Sequence, residues 1–225
     1  TYEEAVAIYN KYPNNMLGIV TDVSFKRAGE KDKKAGLKFC SYIREKDEFL
    51  PIIIESSEVE NQKDAMFLNA CFLDKNSKKL PVDLRKTILR NFGFGDFEFI
   101  NPHTGEVIAT VRNLKDLQNT IMSIPDESLY YHGSRNHISR WLYSRAMFPI
   151  AELLRQKQFT DISESQEMRQ LIFDAIVQYR KMKNRGVVAI FQRERFDKYS
   201  NFARIGQGSL GGKGRGLAFI DSMIK

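Results

Sequence analysis

Six of the chain's 14 glycines fall between Gly206 and Gly216, with Lys213 set between Gly212 and Gly214. Glycine lets backbone N–H groups approach an anion with no Cβ in the way, and a lysine at such a turn adds a point charge for phosphate oxygens. Gly211, Gly212, Lys213 and Gly214 are therefore a candidate phosphate cradle; the competing reading is a flexible glycine-rich tail. The spacing is not that of a P-loop, which requires a serine or threonine where Gly214 stands. Nor is it a dinucleotide fingerprint, which needs an acidic residue about twenty positions further on. Asp22, Ser56 and Lys75 make a second group, each at or just beyond the end of a short apolar run. A third lies in Tyr130–Arg145, where His132, Arg135, His137 and Arg140 are the candidates for an anion or phosphate pocket. The alternative there is a helix capped by Ser134 whose histidines bond backbone groups, with Ile138, Trp141 and Leu142 facing inward and Arg135 and Arg145 lying away from that stripe. His132 and His137 are five apart, so they lack the i, i+3 or i, i+4 geometry of a helical metal pair, and no metal site is expected.

The elements that would position these residues alternate in the order of a parallel sheet. A helix ending at Pro13 precedes an apolar strand over residues 16–22, with Asp22 at its carboxyl end. A charged loop leads to a helix from Ala35 to about Lys46, then a strand over 49–55 followed by Ser56 and Ser57. A short helix near residues 61–69, a third strand over 70–74 ending in Lys75, and a helix after Pro81 close the unit. In an open α/β sheet chemistry gathers at the carboxyl ends of the strands, so Asp22, Ser56 and Lys75 are expected to converge there. From Gly93 the pattern changes to a β-hairpin over 94–100 and 106–111 with an exposed His103 in its turn, a helix capped by Asn113, and a short one from Pro125. A long amphipathic helix follows, begun by a Ser163/Gln166 capping box and ended at Gly186, and then a strand over 186–191. The expected units are 1–92, 93–184 and 185–225.

Charge and composition limit the alternatives. The net charge of +7 is interrupted by acids in both basic stretches, Lys26–Lys34 and Arg193–Arg204, so mixed solvated faces are expected and nucleic-acid binding is not. No apolar run reaches the roughly eighteen residues of a membrane span, and acids stand where a signal peptide carries bases. The two cysteines, Cys40 and Cys71, sit in apolar settings and read as reduced core thiols in the cytoplasm. With no initiator methionine and Thr1–Tyr9 reading as the middle of a helix, the chain is expected to be a piece of a longer protein.

Two resemblances join these parts. Leu210-Gly211-Gly212-Lys213-Gly214-Arg215-Gly216-Leu217-Ala218 resembles the opening of the ATP-grasp-type nucleotide-binding domain of phosphoenolpyruvate synthases and pyruvate phosphate dikinases, which implies that Lys213 contacts ATP phosphates. The first ninety residues resemble a response-regulator receiver domain, a flavodoxin-like α/β fold. There Asp22 would match the phospho-accepting aspartate, Ser56 the switch hydroxyl and Lys75 the phosphate-contacting lysine. The departures are Phe25 and Lys26 for the usual Met and Pro, a longer loop to Gly36, Asn76 after the lysine, and no first strand with its acidic pair. Without those carboxylates Mg²⁺ is not held and Asp22 is not expected to be phosphorylated. The stretch His132–Arg145 is similar to one between the two domains of synthase-like proteins that begin with a receiver-like region. The expectation is thus an α/β chain: a truncated flavodoxin-like, receiver-like parallel sheet, a mostly helical connector with a β-hairpin, and the start of an ATP-grasp-type domain. It would serve as a regulatory or scaffolding part of an ATP-dependent phosphotransferase acting on pyruvate or phosphoenolpyruvate. Alone it would be inactive and bind no cofactor, ATP and Mg²⁺ acting in the whole protein, with a homodimer open. The rival is a two-component-type signalling or protein-interaction module with a glycine-rich tail.

Overall fold

Thr1 Oγ1 accepts a hydrogen bond from Glu4 N, and the Glu4 carboxylate accepts one from the N-terminal amine, so helix α1 (Tyr2–Lys11) begins with a capping box where the sequence reads as mid-helix. The computed structural model describes residues 1–157, 159–185, 187–191, 193 and 202–224. Strand β1 (Ile19–Asp22) is followed by a small antiparallel hairpin, β2 (Phe25–Arg27) and β3 (Glu30–Asp32), where the sequence reads only as a charged loop. Its tip carries Ala28 and Gly29 at positive φ, and alternating charge left no apolar signal of a strand. Helix α2 (Ala35–Arg44), strand β4 (Ile52–Ser56), helix α3 (Asn61–Phe67), strand β5 (Cys71–Asp74) and helix α4 (Leu80–Asn91) complete this part.

Strands β1, β4 and β5 form a parallel sheet in the order β1-β4-β5, with Asp22 opposite Glu55 and Ser56 opposite Asp74 in register. The central β4 is the most buried, with Ile52, Ile53 and Ile54 at most 2 % exposed, as an uninterrupted apolar run predicts. One core gathers Tyr9, Leu37, Phe39, Cys40, Ile43, Leu50 and Ile54 beneath α1 and α2. Arg44 closes its far side by donating to the carbonyls of Leu50, Leu68 and Asn69.

A second core lies beyond Gly93. The hairpin β6 (Phe97–Ile100) and β7 (Val107–Val111) packs Phe97, Phe99 and Val111 onto helices α5 (Leu114–Thr120), α6 (Asp126–Ser134), α7 (His137–Tyr143), α8 (Phe148–Gln156) and α9 (Ser165–Lys183). Asn113 caps α5 as its position predicts, accepting from Asp116 N. The expected Ser163/Gln166 capping box does not form: a 3₁₀ turn over Ile162–Glu164, capped by Asp161, precedes α9 and leaves Ser163 outside it. Ser134 likewise ends α6 rather than capping α7, because Asn136 turns the chain at φ 57°. Strands β8 (Val188–Ile190) and β9 (Phe202–Arg204) pair in parallel, and helix α10 (Gly212–Ile224) follows. Gly186, the expected end of the long helix, lies outside the described residues. The fold is mixed α/β, mostly helical, with a three-stranded parallel sheet and three two-stranded sheets, one of them parallel, among the described residues. No described helix is long and apolar enough to cross a membrane.

Candidate functional site

Parallel alignment of β1 and β5 on either side of β4 brings the chain ends after Asp22 and Asp74 to the same sheet edge. Lys75 Nζ donates to Asp22 Oδ2 at 2.5 Å across that edge. Burial raises the Asp22 carboxyl, but the Lys75 hydrogen bond, the N–H groups of Ser24 and Val23 and the lysine's charge together hold it below the usual aspartate range. Gly36 lets α2 start against this corner: its N–H donates to Val23 O at 2.9 Å, and a Cβ on it would stand 1.9 Å from Asp22 O. Ser56 shares the edge through its backbone, its carbonyl accepting from Lys75 N at 2.9 Å. Its hydroxyl is turned to another task. Ser56 Oγ is buried and accepts from Glu58 N and Asn61 Nδ2, both at 3.0 Å, fixing the entry to α3, and it makes no hydrogen bond to Asp22 or Lys75. The structure therefore joins Asp22 to Lys75 and assigns Ser56 to the adjoining turn.

The four residues of the Tyr130–Arg145 stretch do not face one pocket. Because Asn136 breaks the helix, His132 in the last turn of α6 and His137 at the start of α7 meet, with their Nδ1 atoms 3.0 Å apart. Ile100 N donates to His132 Nε2 at 3.1 Å, so a neutral His132 carries its proton on Nδ1 and gives it to His137, whose proton is then on Nε2. Desolvation, with the Arg135 charge adding to it, pushes His132 down to about 4. Desolvation also lowers His137, to about 3, with His132, Arg140 and Arg135 contributing. Neutral rings edge-on to Phe97, Phe99 and Tyr131 belong to the second core. Arg135 is held over the Tyr131 and Phe49 rings, 4.2 and 5.1 Å from their centroids. Arg140 is nine-tenths buried and donates to Phe49 O at 3.1 Å, with no carboxylate in salt-bridge range among the described residues. It alone of the four opens on the cleft between the two cores.

Arg145, expected to lie away from the packed face, is a clamp. It stacks on Trp141 at 4.1 Å and donates to the carbonyls of Gly93 and Gly95, both at 2.7 Å, tying the link between the cores to α7. Sequence periodicity cannot show this, since the bonds run to backbone carbonyls about fifty residues away in the chain.

The glycine-rich segment turns through Gly206 and Gly208, at φ 94° and 113°, and enters α10 at Gly212. Lys213 is exposed in the first helical turn. The first backbone bond of the helix is Arg215 N to Gly211 O, so the N–H groups of Gly212, Lys213 and Gly214 have no acceptor among the described residues. A Cβ at Gly211 or Gly212 would meet nothing within 4 Å, so crowding inside the chain does not demand glycine there. Leu217 and Phe219 are 61 % and 63 % exposed, and only Ala218 of this helix is buried. Among the described residues no three His, Cys, Asp or Glu side chains converge as metal ligands. Cys40 is buried, its thiol pushed up to about 12 by desolvation, and Cys71 accepts a hydrogen bond from Asn91; neither is paired. Compared with known proteins, the chain matches no family model, no curated protein and no solved structure.

Proposed function

We propose that this chain is a regulatory and nucleotide-entry part of a cytoplasmic, ATP-dependent phosphotransferase acting on pyruvate or phosphoenolpyruvate. In this reading residues 1–92 are a receiver-like, flavodoxin-like sheet, and 185–225 open an ATP-grasp-type domain. One observation carries it: the glycine turns after β9 deliver Lys213 and three unpaired N–H groups to the first turn of α10. Those donors and the helix's positive end favour an anion, and Lys213 adds a mobile ammonium for phosphate oxygens. Gly211 and Gly212 leave the approach open, since no described side chain occupies the space a Cβ would take there, whereas at Gly214 the Leu210 side chain packs against that space. ATP, when bound, supplies the phosphoryl group. This chain's residues contribute orientation and charge at its phosphates, and Mg²⁺ comes with the nucleotide in the whole protein. The exposed apolar side chains of α10, among them Leu217, Ile220 and Met223, suit a helix covered by further nucleotide-binding structure.

The Asp22–Lys75 bridge favours a second reading, a two-component-type signalling module. It is the weaker one, because Ser56 Oγ is engaged elsewhere and no acidic pair stands beside Asp22 as metal ligands among the described residues. The deciding experiment incubates the whole protein with ATP, Mg²⁺ and pyruvate and follows phosphoenolpyruvate. ATP-dependent formation supports the phosphotransferase; none, together with phosphorylation of Asp22, supports the signalling module.

A further inference from the structure

The two cores meet along a cleft of about 820 Å³, within the about 300–1,000 Å³ typical of small-molecule sites. Its floor is Arg140. Of that buried guanidinium only Nη2 has an acceptor among the described residues, Phe49 O. Nε and Nη1 make no hydrogen bond among the described residues and neither is sealed from solvent, so both edges of the fork remain accessible where Arg140 lines the cleft. The site keeps its charge: desolvation lowers the Arg140 pKa to about 10, which leaves it protonated at neutral pH.

A buried cation with no carboxylate partner is costly unless an anion joins it. Across the cleft, Arg155 Nε is sealed from solvent with no acceptor, while its Nη2 bonds Glu152 at 3.0 Å. Lys46, Arg140, Arg155 and Lys157 line the cleft with Asp47 and Glu48; Arg155 is paired with Glu152 and Lys157 with Glu167, so Lys46 and Arg140 are the lining cations with no carboxylate in salt-bridge range among the described residues. A phosphate can meet both open edges of the Arg140 fork with separate oxygens, and its second charge strengthens that contact over a monocarboxylate's. Beside the cations stand amides suited to hydroxyl groups. Asn10 Oδ1 accepts from Tyr42, and among the described residues its N–H groups and the Asn14 and Asn136 side chains have no hydrogen-bond partner.

We propose that this cleft binds a small, hydroxylated organic phosphate, its phosphoryl group seated on Arg140 and its remainder against the asparagine wall. The site is separate from the Lys213 turn and does not depend on the nucleotide reading. Because α1, α7, α8 and the loop before β4 all line it, an occupant bridges both cores and would stiffen their junction.

The test measures thermal unfolding and calorimetric binding of the chain with glycerol 3-phosphate, inorganic phosphate, acetate, and chloride at matched ionic strength. The expected order of stabilisation is glycerol 3-phosphate, then phosphate, then acetate, with chloride without effect. Arg140→Met should weaken glycerol phosphate binding at least about tenfold, as expected for loss of a charge-assisted contact. Arg140→Lys should weaken it less, because the charge stays and the fork is lost. Arg155→Gln should weaken it too, and serves if Arg140→Met fails to fold by circular dichroism. Lys213→Ala should leave binding unchanged. Equal effects of chloride and the phosphates, parity of acetate with phosphate, unchanged affinity in folded Arg140 and Arg155 variants, or loss of binding in Lys213→Ala would each overturn the proposal.

Discussion

Acidifying the protein should unlock the His132–His137 pair, and the size of the effect follows from where the rings sit. Folded pKa values below the ordinary histidine value of 6.5 mean that the unfolded chain binds protons first, so stability is full above about pH 6.5 and falls as pH drops toward the folded values. For His132, buried and held near 4, linkage between about pH 7.5 and about pH 5 gives a loss of about 2 kcal/mol. His137 retains some exposed surface and adds at most a similar amount, so the pair contributes about 2–4 kcal/mol. Depressed carboxylates such as Glu152, held near 2 by Tyr143 and Arg155, lose their contribution mainly below this window. Urea unfolding followed by the fluorescence of Trp141, the chain's single tryptophan and 1 % exposed in the same core, reads the change directly. The slope should vanish in a His132→Gln/His137→Gln variant, where glutamine can still accept from Ile100 N. Equal stability at both pH values in the wild type, or an unchanged slope in the double variant, would refute the assignment of two neutral buried rings.

Gly36→Ala should destabilise by about 1–3 kcal/mol in urea unfolding, because the new methyl collides with the Asp22 carbonyl and α2 must shift; a change within error would mean that the corner is loose. Acetyl phosphate with Mg²⁺ should leave the intact mass of the chain unaltered, since no carboxylate cluster stands beside Asp22 among the described residues. A stable phosphoryl gain abolished in Asp22→Asn would contradict that. The Asp22–Lys75 bridge itself is half exposed, so Lys75→Met should change stability by less than about 1 kcal/mol, and a larger loss in the same unfolding assay would show that the pair holds the sheet edge together.

Where periodicity and burial coincide, the sequence was readable. The apolar runs around Ile19, Ile52 and Cys71 became the three parallel strands, and Asp22 and Lys75 met because parallel strands share one carboxyl edge. The β2–β3 hairpin is not legible because five of its six strand residues are charged and most are exposed, so no apolar alternation marks it. For Ser56 the backbone position was legible and the side-chain partner was not: Asn61 competes for the hydroxyl from only five residues away. The His132–Arg140 group was legible as a cluster of the right types but not as a geometry. One left-handed residue, Asn136, reorients everything after it, pairing the histidines with each other and turning Arg140 alone to the cleft.

The most direct test of the proposed function is Lys213→Ala in the whole protein, assayed for ATP-dependent phosphotransfer between pyruvate and phosphoenolpyruvate, with circular dichroism to confirm that the exposed substitution leaves the fold intact. Lys213 would meet phosphate oxygens through a charge-assisted bond of about 1.5–3 kcal/mol, so turnover should fall by about ten- to a hundredfold. Unchanged turnover in the folded variant would remove Lys213 from the nucleotide site and contradict the account.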